Sequence, residues 1–195
     1  DIYTVPSTGG RASQITTNPA HDTKPIWSPD GKKIAFASDR MGSMDIFEVN
    51  KEGGIPKRLT THSGNETPVA YKDAGHILFL ANIMPTAEDA QFPSGQFQQV
   101  YEVNTEGGRP ILFSSMPMED ISINHTGNTL LYHDKKGYED PWRKHHTSSI
   151  TRDIWLCSLN GNRTFRKQTA FNGEDRTPVW ASDDKSFYYL SEEKG

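Results

Sequence analysis

Hydrophobic and polar residues alternate along short segments of this chain, a pattern typical of half-buried β-strands. The clearest segment is 32–38, which reads Lys-Lys-Ile-Ala-Phe-Ala-Ser and places Ile34 and Phe36 on one face. The string Ser-Pro-Asp-Gly at 28–31 precedes it and favours a tight turn, because Pro fixes φ and Gly accepts positive φ. Large apolar residues occupy the same two positions in three later segments: Ile77 and Phe79, Leu130 and Tyr132, Phe187 and Tyr189. The pattern predicts an all-β chain built from one repeated strand arrangement.

A second motif sets the period of the repeat. It reads Asp-Ile-Tyr-Thr-Val from residue 1, followed by three residues and Gly-Gly, and it returns with variations at residues 45, 99 and 153. The spacings are therefore 44, 54 and 54 residues. Self-similarity at this period, with four short strands in each repeat, predicts a β-propeller of four-stranded antiparallel blades. We label the strands of each blade A to D in chain order and expect the apolar B strands to pack blade against blade.

The 195 residues are expected to form a single propeller segment holding about four blades' worth of strands. The repeat divides it into two half blades and three whole blades, with these bounds: half blade 1–16, blade 25–60, blade 66–115, blade 118–169 and half blade 173–191. The two halves either pair as a fourth blade or belong to an arc of a six- or seven-bladed ring. An arc would expose strand edges, which favour self-association.

Composition excludes several classes of protein. The net charge is −4, whereas a nucleic-acid-binding surface needs concentrated basic residues. No apolar run approaches the roughly 18 residues of a membrane span. The single cysteine, Cys157, rules out an internal disulfide and takes the place of Val5, Val49 and Val103 in the other repeats, so we expect a small buried side chain.

The blades differ mainly in the connection from strand B to strand C. It is short at 39–44 but long at 81–98 and at 134–152, and loops of that length are commonly functional. In an A-B-C-D meander the B-to-C and D-to-A connections lie on one side of the disc, so both insertions are expected on one face. The second insertion combines aromatic, basic and histidine side chains, which suit a binding surface. The predicted binding residues of this face are Trp142, Arg143, His145, His146 and Arg152. A solvated loop pinned by Trp142 is the alternative.

Acidic residues recur in the D-to-A connections, each shortly before strand A. Asp22, Glu66 and Asp175 are candidates for the rim of a central channel. The alternative is that they cap turns locally, as Asp side chains often do.

No metal, cofactor or catalytic site is predicted. His145 and His146 are adjacent, and neighbouring residues of an extended chain point to opposite sides, so they do not match a zinc site even with His133 near them in the sequence. Ser148 has no identifiable orienting carboxylate and the chain lacks a Gly-x-Ser-x-Gly motif, so no catalytic residue is assigned. Whether the chain belongs to an enzyme stays open on these grounds.

The repeat unit and three longer stretches of the chain resemble known protein families. The general unit, Pro-x-Trp-Ser-Pro-Asp-Gly followed by Asp-Ile-Phe and Arg-Leu-Thr, resembles the TolB-type propeller repeat. The stretches 87–95, 137–155 and 173–178 resemble the N-terminal β-propeller of bacterial tricorn-type serine peptidases. The resemblance spans essentially the whole chain. The turn string departs from Ser-Pro-Asp-Gly at 71–74, 124–127 and 182–185, which affects hairpin geometry but not the fold.

The resemblance implies a non-catalytic segment that guides peptides or contacts protease domains, because the catalytic serine of such peptidases lies in later domains. It also implies export to the periplasm or cell surface. Two other functions remain open: a periplasmic protein-binding adaptor like TolB, and an enzyme resembling metal-dependent oligogalacturonate lyases. The expected partners are peptides or sister protease domains, with no nucleic acid, no membrane span and no cofactor.

Overall fold

The computed structural model describes residues 1–83, 97–137 and 147–194. Every regular element in these ranges is a β-strand, as the alternation predicted. The sixteen strands are β1 (Tyr3–Thr4), β2 (Ser13–Gln14), β3 (Asp22–Trp27), β4 (Lys33–Ser38), β5 (Asp45–Asn50), β6 (Lys57–Arg58), β7 (Thr67–Asp73), β8 (His76–Ala81), β9 (Gln99–Asn104), β10 (Ile111–Ser114), β11 (Met118–Ile123), β12 (Thr129–Asp134), β13 (Ile154–Ser158), β14 (Thr164–Lys167), β15 (Asp175–Trp180) and β16 (Phe187–Ser191).

The strands form antiparallel meanders, which confirms the four-stranded blade. The first sheet has the order β3-β4-β5-β6, the second β7-β8-β9-β10 and the third β11-β12-β13-β14. The pairs β1–β2 and β15–β16 form two-stranded sheets, here called the N-terminal and C-terminal hairpins. Two compact units result, an N-terminal unit of residues 1–115 and a C-terminal unit of residues 116–195. The blade bounds inferred from the repeat stay a prediction.

Apolar side chains fill both faces of the first sheet in the N-terminal unit. Ile34 and Phe36 join a cluster with Ile2 and Ile15 of the N-terminal hairpin region. On the other face, Ala35 and its neighbours pack with a larger cluster from the second sheet. The members of that cluster are Ala35, Ile46, Leu59, Tyr71, Ile77, Phe79, Ala81, Tyr101 and Val103. Burial of such side chains contributes roughly 1.5–3 kcal/mol each, so stacked sheets stabilise one another.

The expected burial of the B strands holds everywhere except at the C-terminal hairpin. Leu130 and Tyr132 are fully buried, as is Cys157. Tyr189 is 40% exposed, and Phe187 is only half-buried. Within the described residues β16 pairs with β15 alone, so no strand covers the edge where strand C pairs in the complete sheets.

Strand A contains a recurrent bulge, which the alignment of the repeats does not reveal. Lys24, Asp120 and Thr177 have φ values of 52°, 49° and 55°. Each lies at a register irregularity between strands A and B of its sheet. Positive φ is uncommon for residues other than glycine, and more so for a β-branched residue such as Thr177. The recurrence in three sheets makes the bulge a regular part of strand A and not an isolated defect.

Threonine side chains at the ends of D strands repeat one hydrogen bond to the neighbouring C strand. The hydroxyl of Thr60 accepts the backbone N–H of Ile46 at 2.9 Å. Thr16 accepts the N–H of Ile2 at 2.9 Å, and Thr169 accepts that of Ile154 at 3.2 Å. These bonds are buried, and they satisfy a backbone donor that the short D strand does not reach.

Candidate functional site

The described ends of the second insertion meet a cluster of charged side chains in the C-terminal unit. We call it the loop-base cluster. Glu119 lies in strand A of the third sheet, His133 lies in strand B, and Lys135 directly follows strand B. Arg152 shortly precedes strand C, and Glu174 directly precedes strand A of the C-terminal hairpin. The two described ends of the insertion, its two arms, approach closely here. A Cβ atom placed on Gly137 of the first arm would lie only 3.1 Å from Cδ1 of Ile150 in the second arm. The cluster therefore lies where the two described ends of the insertion, at residues 137 and 150, meet.

His133 is buried at the centre of this cluster, with its side chain 4% exposed. Its Nδ1 accepts the backbone N–H of Thr177 at 3.1 Å. That contact leaves the proton of the neutral ring on Nε2, which lies 3.2 Å from Glu119 Oε2 and donates to it. His133 thus ties strand B of the third sheet to the strained Thr177 of the C-terminal hairpin.

Glu119 is held in its ionised form by three groups. Hydrogen bonding to His133 is the largest cause that lowers its pKa to about 2, and Lys135 adds to the effect while burial opposes it. The Lys135 Nζ lies 2.6 Å from Glu119 Oε1, and Arg152 Nε lies 3.7 Å from Oε2. The folded-state pKa lies below the ordinary value of 4.5, so these contacts stabilise the unit fully above that pH, and this stability is lost progressively as the pH falls from 4.5 through about 2.

Arg152, one of the predicted binding residues, is ion-paired rather than free. Its Nη1 donates to Glu174 Oε1, and its backbone carbonyl accepts the N–H of Asp175 at 3.1 Å. Its side chain is 21% exposed. These contacts fix Arg152 at the base of the insertion, and its predicted binding role stays a prediction.

A second set of ion pairs fixes the other side of the base. Lys136 Nζ donates to the carbonyl of Thr151 at 2.8 Å and to Asp153 Oδ2 at 2.6 Å. Asp153 also pairs with Lys167 at 2.8 Å. Trp155 Nε1 donates to Asp134 Oδ2 at 3.1 Å. Both arms of the insertion are thereby bound to strands C and D of the third sheet.

The remaining predicted binding residues, Trp142, Arg143, His145 and His146, lie outside the described residues. Their contacts are therefore not part of the geometry given above, and their role stays a prediction. Glu119 is a member of the cluster that the sequence did not predict. By strand register Met118, and not Glu119, takes the place of the recurrent acids Asp22 and Asp175, so the repeat carried no signal for it.

The three acids predicted at a channel rim are buried inside their units. Asp22 bonds to Arg40 Nη2 at 2.8 Å, and Arg40 stacks over the ring of Phe47 at 4.6 Å. Glu66 is fully buried, and so is Asp175. The backbone N–H of Glu66 donates to the carbonyl of Met44 at 2.8 Å. Asp175 makes the matching bond to Arg152, so these two acids hold equivalent positions beside the preceding C strand.

No group of three or more His, Cys, Asp or Glu side chains arranged to hold a metal occurs among residues 1–83, 97–137 and 147–194. The same ranges contain no helix that is long and apolar enough to cross a membrane.

Comparison with known proteins places this geometry in a family. The chain is 24% identical over 196 residues to the tricorn protease homolog 1 of Streptomyces coelicolor and 26% identical over 205 residues to that of Saccharolobus solfataricus. Both alignments cover 100% of the chain but only 17% of the relative, so the chain spans about a sixth of those proteins. Among solved structures, the TolB-like protein of Agrobacterium tumefaciens superposes with a TM-score of 0.62 at 21% identity, over 97% of this chain and 65% of that one.

A family model, the tricorn protease N-terminal beta propeller domain, matches residues 1–195. Together with the four-stranded blades, this match confirms the resemblance seen in the motifs. The chain belongs to the tricorn protease N-terminal β-propeller family.

Proposed function

We propose that this chain is a non-catalytic β-propeller segment of a tricorn-like serine peptidase that guides peptides or contacts the protease domains. The observation that carries the proposal is the loop-base cluster. Lys135 and Arg152 of the 134–152 insertion make three ion pairs within the cluster, to Glu119 and Glu174, and Lys136 adds a fourth ion pair, to Asp153. A loop fixed so firmly at both ends can present a binding surface at low entropic cost.

The charges of the cluster also bear on its role. Glu119 and Glu174 neutralise Arg152, and Asp153 neutralises Lys136 and Lys167. Paired groups of this kind position a loop rather than react with a substrate. The ligand contacts are therefore assigned to Trp142, Arg143, His145 and His146, and Arg152 supports them.

Peptide capture tests the proposal. The purified chain is immobilised, incubated with tryptic peptides of casein and washed, and the retained peptides are identified by mass spectrometry. The Trp142→Ala, Arg143→Ala double variant is expected to retain at least about fivefold less peptide, because aromatic and arginine residues dominate such contacts. The control is the Arg11→Ala, Ile55→Ala double variant, which also removes one arginine and one exposed apolar side chain.

Two results would overturn parts of this function. Cleavage of the peptides by the purified chain would disprove the non-catalytic role. Equal retention by the loop variant and the control would remove the 134–152 insertion as the binding face.

A protein-binding adaptor like TolB is the second candidate, favoured by the superposition over 97% of the chain. The two functions differ in the domain expected downstream of the propeller in the intact reading frame. A downstream peptidase domain supports the tricorn-like protein, and its absence supports the adaptor. Export to the periplasm or cell surface is part of both proposals, and fractionation of the source cells with an antibody to this chain tests it.

A further inference from the structure

A cleft of about 700 Å³ lies in the N-terminal unit. One wall is the end of β6 and the residues after it. The other wall is the turn before β10 together with Ile83, which follows β8. We call it the outer cleft; the residues that matter here are Arg58, Leu59, His62, Ile83, Arg109 and Pro110. Sites of roughly 300–1,000 Å³ commonly hold small ligands or short peptide segments.

The described lining of the outer cleft contains two arginines and a histidine but no carboxylate. This contrasts with the net charge of −4 of the whole chain. An ion pair between Lys57 and Glu106, at 3.0 Å, joins the two walls at one end. The cleft is therefore a local basic surface on an acidic protein, and such surfaces attract anionic groups.

Arg58 is a fixed donor in this cleft. Its Nη2 lies 2.7 Å from Oδ2 of Asp45, whose side chain is fully buried. The Arg58 side chain is 29% exposed and lines the cleft. An arginine held by a buried partner keeps its orientation, so it loses little side-chain entropy when a ligand binds.

Arg109 supplies the net positive charge. It is exposed and makes no ion pair within the described residues, whereas the neighbouring Glu106 is already paired with Lys57. His62 adds a neutral donor. Its Nδ1 accepts the N–H of Gly64 at 3.0 Å, so the neutral ring carries its proton on Nε2.

Apolar groups complete the surface. Leu59 is 3% exposed and belongs to the buried core, so it forms a firm floor. Ile83 and Pro110 extend the apolar lining. A ligand that matches this surface carries carboxylates beside apolar side chains. Arginine recognises carboxylates through two parallel hydrogen bonds, which gives both affinity and orientation.

We propose that the outer cleft binds acidic peptides, with a glutamate or aspartate side chain at Arg109 and Arg58 and an adjacent apolar side chain against Leu59 and Pro110. The choice of peptides as the ligand class rests on the proposed function. The evidence for the cleft itself is independent of that function, because the cleft shares no residue with the 134–152 insertion.

Fluorescence anisotropy tests this site with two labelled, C-terminally amidated peptides. One has the sequence Leu-Glu-Leu-Glu-Leu and the other replaces each Glu by Gln. The glutamate peptide is expected to bind about tenfold more tightly, because a hydrogen-bonded charge contributes about that much. The Arg109→Glu variant of the full chain is expected to lose at least that factor while unfolding thermally like the wild type, since residue 109 is exposed.

Arg11→Glu is the matched control, since Arg11 is also exposed and lies in the turn between β1 and β2 of the same unit. It is expected to leave the affinity for the glutamate peptide unchanged. Equal binding of the two peptides, equal losses in the two variants or no binding of the glutamate peptide would each overturn the outer cleft as a site. None of these results affects the casein-peptide test of the loop face, so the two proposals fail separately.

Discussion

Glu66 shows how one buried side chain makes the stability of the N-terminal unit depend on pH. Burial raises its pKa from 4.5 to about 7, and the nearby Asp45 carboxylate adds to the shift, while Thr60 and Arg58 act in the opposite direction. The folded state therefore binds a proton more tightly than the unfolded state does. The resulting stability is complete below about pH 4.5 and is lost as the pH rises through 7.

Replacing Glu66 by Gln is expected to remove this dependence. At pH 8 the Glu66→Gln variant is expected to be more stable than the wild type by up to about 3 kcal/mol, at 1.4 kcal/mol per pKa unit. At pH 5 the two proteins are expected to be similar. Urea denaturation at a series of pH values measures the difference. Glu52→Gln is the control, because that side chain is 72% exposed. Parallel stability curves for wild type and Glu66→Gln would contradict the buried acid.

At the scale of elements, the short D strands depend on side-chain hydrogen bonds. β2 and β6 are two residues long each, so they supply few ladder bonds to strand C. Thr16, Thr60 and Thr169 replace some of those bonds by accepting backbone N–H groups of strand C. The same hydrogen bond in three repeats accounts for the Thr that follows the D strand in each of them, after Ile15, Leu59 and Gln168.

The variant Thr60→Val is expected to lower the free energy of unfolding by about 1–3 kcal/mol, the cost of leaving a buried donor unpaired. Valine keeps the shape, so the loss measures the hydroxyl and not a cavity. Thr60→Ser is expected to recover most of the stability, and Thr61→Val, at an exposed neighbouring position, should change little. Urea midpoints at constant slope give the comparison. A Thr60→Val protein as stable as the wild type would show that water replaces the hydroxyl.

At the scale of the whole molecule, the C-terminal hairpin exposes large apolar side chains beside an open strand edge. Tyr188 is 73% exposed and Leu190 is 58% exposed, although strand B is buried in the three complete sheets. An open strand edge beside exposed apolar side chains favours pairing between molecules. Self-association therefore remains our proposal for this chain.

Multi-angle light scattering at rising protein concentration checks this proposal. The wild-type chain is expected to show a mass above that of the 21.9 kDa monomer. The Tyr188→Lys, Leu190→Lys double variant is expected to stay monomeric, because charges on an edge strand oppose pairing. Ile55→Lys is the control, since Ile55 is 98% exposed but lies in a turn. A monomeric wild type at all concentrations would rule out association through this edge.

Local signals in the chain were enough to predict the strand pattern, the blade and the family. Period-2 alternation and repeated turn strings need only neighbouring residues, and the recurrence of large apolar residues at the same two positions of each repeat marked Ile34 and Phe79 as core residues without coordinates. The burial of Cys157 was predictable from the valines in equivalent repeats.

Which charged side chains come into contact, in contrast, is decided by packing in three dimensions. Glu119, His133 and Glu174 are separated by 14 to 55 residues, and the bulges at Asp120 and Thr177 beside them leave no sequence signature. The same holds for the outer cleft, whose arginines lie 51 residues apart, Arg58 in β6 and Arg109 in the turn between β9 and β10. Ion pairs and clefts depend on distances across sheets, and a one-residue bulge changes those distances while leaving the hydrophobic pattern almost intact.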